Sequence, residues 1–259
     1  MIPMHILLTN DDGVAAPGLQ AARQALASLG RVTVLAPDRN WSASGHAKTL
    51  HRPLRVWDTR LLDGTPALAT DGAPSDCVAL VALGLLDEPV DLVVSGINPH
   101  ANLGHDVTYS GTVTAAMEAV IAGLPGIAVS LDTPDDLSIP IDFDPAARVA
   151  ASLARQIFDH GFPPGILLNV NVPHLSIESM SGVQITRQGI RVYRDALVRR
   201  DDPRQRPYYW IGGDTPTGVD EPGTDFWAVK GGFVSITPLQ LDLTAREALP
   251  QLQGWDLHL

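Results

Sequence analysis

The apolar positions of this chain follow two rhythms. Continuous short runs at Ile6–Leu8, Val90–Ser95, Gly126–Leu131 and Ile166–Val172, each bounded by turn residues, predict buried strands, and Arg31–Ala36 adds a further strand. Between them lie stripes at spacings of three and four. Leu19, Ala22, Leu26 and Leu29 predict a helix, with Gly30 as a left-handed terminator. Gly72-Ala73-Pro74-Ser75 opens a helix to about Leu86, Tyr109-Ser110-Gly111-Thr112 opens one to about Ala122, and Asp144-Pro145 opens one to about Asp159. Residues 50–70 read as short strands around an Asp63-Gly64 turn. Strands alternating with helices imply right-handed crossovers and a mainly parallel sheet, an α/β, Rossmann-like core over residues 1–175.

Beyond residue 175 the helical period disappears. Short β-prone pieces at Val183–Thr186, Tyr208–Ile211 and Phe233–Thr237 alternate with charged turns. Arg199-Arg200-Asp201-Asp202-Pro203 reads as an exposed hairpin tip, and Thr244–Leu252 as a last helix weakened by Pro250. The expectation is one 259-residue unit, a core of 1–175 followed by a β-rich extension of 176–259. The β pieces have no evident partner in the core, so strand exchange or hairpin packing with another subunit is expected.

Composition narrows the partners. At 45% hydrophobic content the 259 residues suffice for a large core. A net charge of −11 with only 18 Lys and Arg argues against a nucleic-acid polymer. A small phosphorylated ligand remains open, provided a metal or backbone amides supply positive potential. Cys77 is the only cysteine, so no disulfide forms within the chain. The first residues do not read as a secretory signal, and the longest apolar run, Cys77–Leu86, is too short for a membrane span. A cytoplasmic protein with no membrane partner is expected.

The chemistry gathers where strands end. The Ile6–Leu8 run gives way to Thr9-Asn10-Asp11-Asp12-Gly13, which places two adjacent carboxylates at the carboxyl end of a strand. In open α/β sheets that edge binds ligands. Ser42, Asn98 and the Ser110-Gly111-Thr112 helix start project from the same edge. Two carboxylates, a hydroxyl and an amide carbonyl make an all-oxygen set suited to magnesium or manganese, without the soft ligands that favour zinc. At Ser110-Gly111-Thr112 the glycine leaves room for an anion near the first helix amides, a phosphate cradle. Each residue also has an ordinary reading as a turn former or helix cap. Neither a G-x-G-x-x-G fingerprint nor a P-loop occurs. His46, His100 and His105 fall in loops at this edge, and Tyr109 is either a stacking face or a core residue.

Taken in order, Thr9-Asn10-Asp11-Asp12-Gly13, Ala36-Pro37-Asp38-Arg39-Asn40, Val94-Ser95-Gly96-Ile97-Asn98, Tyr109-Ser110-Gly111-Thr112-Val113 and Val234-Ser235-Ile236-Thr237-Pro238-Leu239 closely resemble the SurE family, the stationary-phase survival proteins. The resemblance extends through Asn169-Val170-Asn171-Val172-Pro173 and Gly223-Thr224-Asp225-Phe226-Trp227-Ala228-Val229. It implies a metal-dependent phosphatase of nucleoside 5′- and 3′-monophosphates, with short polyphosphate as a further candidate substrate. It implies one divalent cation per subunit on Asp11, Asp12, Ser42 and Asn98. Asp11 and Asp12 would be catalytic, and Asn98, Ser110, Gly111 and Thr112 would face the phosphate. It also implies a C-terminal extension exchanged between subunits of a homodimer or homotetramer. One departure stands out: Pro99-His100 occupies the place where the family carries Gly two residues after the Asn. An aspartyl-phosphate mechanism would place a second Asp where Gly13 stands. A non-catalytic nucleotide-binding or assembly module of the same fold is the alternative.

Overall fold

The computed structural model describes residues 4–134, 136 and 138–257. Its core alternates β1 (Met4–Thr9), α1 (Pro17–Leu26), β2 (Gly30–Pro37), β3 (Val56–Arg60), β4 (Pro66–Thr70), α2 (Pro74–Ala82), β5 (Leu92–Asn98), α3 (Gly111–Ile121), β6 (Gly126–Asp132), α4 (Asp144–His160) and β7 (Ile166–Pro173). There follow β8 (Gly182–Ile185), β9 (Arg191–Asp201), β10 (Pro207–Gly218), α5 (Asp225–Lys230), β11 (Phe233–Gln240) and α6 (Leu249–Gln253). Nine strands form one sheet in the order β3-β4-β2-β1-β5-β6-β7-β11-β8. From β4 to β7 all neighbours run parallel, while β3 and β11 lie antiparallel to β4 and β7. No helix among the described residues is long and apolar enough to cross a membrane.

The unbroken apolar run of β1 follows from its central place, because both faces are covered. Ile6 and Leu8 pack with Leu19 and Leu26 of α1 and Ala150 of α4 on one face. Leu7 packs with Val78 of α2 and Ala115 of α3 on the other. Each such leucine contributes about 1.5–3 kcal/mol on burial. This two-sided burial fixes the height of the sheet, and with it the place where Asp11 and Asp12 emerge.

Local details depart from the sequence expectations. α1 stops at Leu26, and Gly30 begins β2 instead of capping the helix. A Cβ on Gly30 would lie 2.1 Å from the Met4 carbonyl oxygen, so this glycine serves close strand approach. α2 ends at Ala82, four residues before the expected Leu86. The extension divides in two. β11 pairs with β7, with Ile236 opposite Val170, and buries Val234 and Ile236 in the main core. β9 and β10 form a separate two-stranded sheet. Arg199 and Arg200 lie within β9, and the tip is Asp202–Arg206, where Asp202 accepts the amides of Arg204 and Arg206. The sequence pattern does not predict α5, which at six residues is too short to show a stripe. The end of the chain forms a 3-10 turn at Arg246–Ala248 and then α6, whose Pro250 sits in the first turn, where a missing N–H costs nothing.

Candidate active site

The turn after β1 is made by Asn10, which frees its neighbours. The Asn10 amide donates to the Gly13 carbonyl at 3.0 Å and accepts the Gly13 amide at 3.2 Å. Asp11 and Asp12 are therefore not needed to close the loop. Asp11 turns inward and is buried; its Oδ1 accepts the Thr112 hydroxyl at 2.5 Å. A Cβ on Gly111 would come within 2.7 Å of the Asp11 Cβ. The missing side chain thus makes room for Asp11 itself, so the acid sits against the start of α3, where the helix dipole favours a negative charge.

Asp12 lies beside it, half-buried. Its Oδ1 has only a 3.5 Å contact from the Asn40 amide, and its Oδ2 is buried without a hydrogen-bond partner among the described residues. Burial, and then the charge of Asp11, push the Asp12 carboxyl up to about 7. Burial also raises Asp11, opposed first by the Thr112 hydroxyl and then by backbone amides, including those of Thr112 and Gly111.

Asp11, Ser42, Asn98 and Ser110 line one cleft of about 230 Å³. Ser42 rides on a loop tied down at several points. The Trp41 amide donates to the Asp11 carbonyl at 2.7 Å, the Gly45 amide to the Tyr109 carbonyl at 2.9 Å, and the Thr114 hydroxyl to the Gly45 carbonyl at 3.1 Å. Next to Ser42, Ala43 holds a left-handed φ of 57°, a cost for a residue with a Cβ that neighbouring contacts must offset. Asn98 closes β5, and its Nδ2 donates to the His100 carbonyl at 2.5 Å, leaving Oδ1 for a cation or another donor. Ser110 caps α3, its Oγ accepting the Val113 amide at 3.1 Å. Thr112 does not line the cleft; it is fully buried behind Asp11.

The histidines separate. His100 lines the cleft as an exposed residue, and Thr133 braces it: its hydroxyl donates to the Pro99 carbonyl and lies 3.3 Å from His100 Nδ1. His100 is not among the residues with positive φ, so the departure from Gly at this place needs no left-handed backbone. His46 instead pairs with the buried Glu118 of α3 at 2.9 Å, joined by Lys48 at 2.7 Å. His46 and His105 border an apolar groove of about 500 Å³ between α3 and the end of β11, away from the cleft. Tyr109 is at the cleft and 60% exposed, so it is no core residue.

Two residues that the patterns do not single out complete the walls. Asn102 is held by a buried amide network. Its N–H donates to Asn171 at 2.7 Å, its Nδ2 to Ser130 at 2.8 Å, and its carbonyl accepts the side chains of Asn169 and Asn171. The alternation Asn169-Val170-Asn171 within an apolar strand is the signal that could have marked it, since polar residues two apart share one face. Asp106 is fixed by Arg191 and Tyr193, some 85 residues away, which leaves no local signal.

A hard divalent cation fits this set. Two adjacent raised carboxylates, one with an orphaned oxygen, are relieved by positive charge, and the hydroxyl of Ser42 and the amide of Asn98 add oxygen donors. Among the described residues no three His, Cys, Asp or Glu gather as a metal site, so the donors beyond the two acids are neutral oxygens.

A family model described as survival protein SurE matches residues 6–195. A 5′-nucleotidase SurE of Chloroflexus aggregans is 53% identical over 98% of this chain and 99% of its own length. A 5′-nucleotidase SurE of Herpetosiphon aurantiacus is 55% identical over 93% and 94% of the two chains. The crystal structure of the SurE protein from Aquifex aeolicus overlays with a TM-score of 0.79 at 42% identity, covering 96% of this chain and 98% of that one. With likeness of sequence and of fold running almost from end to end, the chain belongs to the SurE family.

Proposed function

We propose that this protein hydrolyses nucleoside 5′- and 3′-monophosphates to nucleoside and phosphate, using magnesium or manganese held by Asp11, Asp12, Ser42 and Asn98. The observation that carries the reading is the Asp11-Asp12 pair: burial raises both carboxyls, the charge of Asp11 raises Asp12 further, and Asp12 Oδ2 has no hydrogen-bond partner among the described residues, next to a cleft that Asp11 lines together with Ser110 at the start of α3. The names of the relatives agree, since both are 5′-nucleotidases. The 3′ esters follow because the donors face only the phosphate end of a substrate. Short polyphosphate presents the same terminal group and is a second substrate class.

When bound, the cation supplies Lewis acidity toward a phosphoryl oxygen and toward the attacking water. The chain's own residues do the rest. Asp11, fixed by Thr112, keeps its carboxylate at one orientation, and preorganisation of this kind lowers the cost of reaching the transition state. Asp11 or Asp12 would orient the water and take its proton. Asn98 and Ser110 flank the phosphate end, and the helix dipole at the start of α3 stabilises growing negative charge there, while Gly111 and Thr112 act by holding Asp11. The hairpin of β9 and β10 exposes Leu197, Trp210 and Ile211, apolar surface suited to a second subunit in a homodimer or homotetramer.

Phosphate release from AMP, 3′-AMP and a generic aryl phosphate, with and without a chelator, tests the reading. Turnover that stops in chelator and returns with manganese or magnesium is expected. Full turnover of protein free of metal by elemental analysis would overturn the metal assignment. Nucleotide binding without turnover would establish the non-catalytic alternative.

A further inference from the structure

The charges around the cleft leave one carboxylate to be explained. The residues lining it include Asp11 and Asp106 but no Lys or Arg. A cation answers Asp11 and Asp12; it does not answer Asp106, which lines the same cleft and is joined to Tyr109 through its backbone carbonyl. A bare carboxylate there would oppose an anionic phosphate ester. Two side chains from the base of the hairpin meet it. Arg191 Nε lies 2.7 Å from Asp106 Oδ2, and the Tyr193 hydroxyl donates to Oδ1 at 2.5 Å. The side chains of Arg191 and Asp106 are only 13% and 18% exposed, so solvent screens the pair poorly. Arg191 does not itself line the cleft. The backbone of Asp106 also serves the site, because its carbonyl accepts the amides of Tyr109 and Ser110 at 3.0 and 3.1 Å. One residue therefore joins β9 to the turn that begins α3.

We propose that Arg191 and Tyr193 are positioning residues for the phosphatase reaction. They cancel and hold the Asp106 carboxylate, so that an anionic phosphate ester enters the cleft unopposed. The proposal rests on the phosphomonoesterase reading above, and it predicts an effect on substrate affinity more than on turnover.

The test is a charge cycle in the full-length, metal-loaded protein with AMP as substrate. Arg191→Gln should raise KM by ~10-fold at low salt, the scale of one unscreened charge near a protein surface, while kcat moves less than ~2-fold. Added salt should shrink the difference in KM. Asp106→Asn in the Arg191→Gln background should return KM to within ~2-fold of wild type, because the offending charge is gone. Arg191→Lys should keep a near-normal KM, since it keeps the charge. A merely structural role predicts the reverse of the rescue, a double variant at least as impaired as Arg191→Gln. An unchanged KM in Arg191→Gln, or failure of the rescue in protein with a normal melting curve, would overturn the proposal. Should Arg191→Gln not fold, the salt dependence of KM in Tyr193→Phe is read instead, and a profile identical to wild type overturns it. Wild-type turnover of AMP is measured first. Its absence sinks the phosphomonoesterase reading, whereas turnover with an unaltered variant sinks this proposal alone.

Discussion

Asp225 and Asp12 are two acids of one chain treated in opposite ways. Asp225 is fully buried, yet both its oxygens are satisfied: Oδ1 accepts the amides of Gly189 and Phe226, and Oδ2 that of Gly104, each at 2.8 Å. Asp12 is less buried, yet among the described residues one oxygen has a single weak contact and the other none. Depth alone therefore does not mark function. A carboxylate whose lone pairs are used up by fixed backbone donors holds segments together. One left short of donors next to another acid stores unfavourable energy that a ligand can release.

The sharpest break of this contrast is Asp12→Asn. It should lower turnover by at least ~100-fold, as removal of an essential electrostatic group does, while circular dichroism shows an intact fold. Normal turnover would show that Asp12 does not serve the cation. Asp225→Asn should do the opposite. Its new N–H donors would face amides that need acceptors, so stability should drop by about 2–3 kcal/mol in chemical denaturation. Turnover per folded molecule should fall less than ~3-fold. A variant as stable as wild type would deny Asp225 its clamping role.

A pH series separates the two acids further. The Asp12 carboxyl is raised from 3.8 to about 7, so in the metal-free protein the native state binds more protons than the unfolded chain between those values. The contribution of Asp12 to stability should therefore be fully present at acid pH and be lost as pH rises through that window. Asp12→Asn should flatten the fall, and manganese should reverse it at pH 8. A metal-free melting temperature that climbs from pH 4 to 7 equally in both proteins would contradict the assignment. The smallest effect belongs to His100→Gly. Exposed and braced by Thr133, His100 is a rim residue, so relative rates with magnesium, manganese and cobalt should stay within ~2-fold of their wild-type ratios. A shift in favour of magnesium would make the ring a ligand after all.

What the sequence discloses follows from how local each cause is. β1 is legible because two-sided burial writes an unbroken apolar run, and the carboxyl-edge rule then points to Asp11 and Asp12 without any further contact. Ser42 and Asn98 follow from strand ends in the same way, and family resemblance supplies their roles. Gly30 and Gly111 are visible as glycines, but the atoms that demand them, the Met4 carbonyl and the Asp11 side chain, belong to other elements. His46 is drawn to Glu118, 72 residues away, and no loop pattern announces that. The place of β11 beside β7 is hidden for a similar reason. A β-prone segment shows that it will pair, while its partner is chosen by which sheet edge remains open.

The hydrogen bond from Gly104 to Asp225 spans 121 positions, and β11 completes the sheet only near the end of the chain. During synthesis, therefore, the segments that carry Asp11, Ser42 and Asn98 leave the ribosome well before the segments that fasten the cleft wall around Gly104 and Asp106. Contacts of such long separation form late, because the loop they close must first be ordered. A nascent chain would hold the acids of its cleft before it held the wall that admits substrate. Competence for nucleotides then arrives as one of the last events of folding.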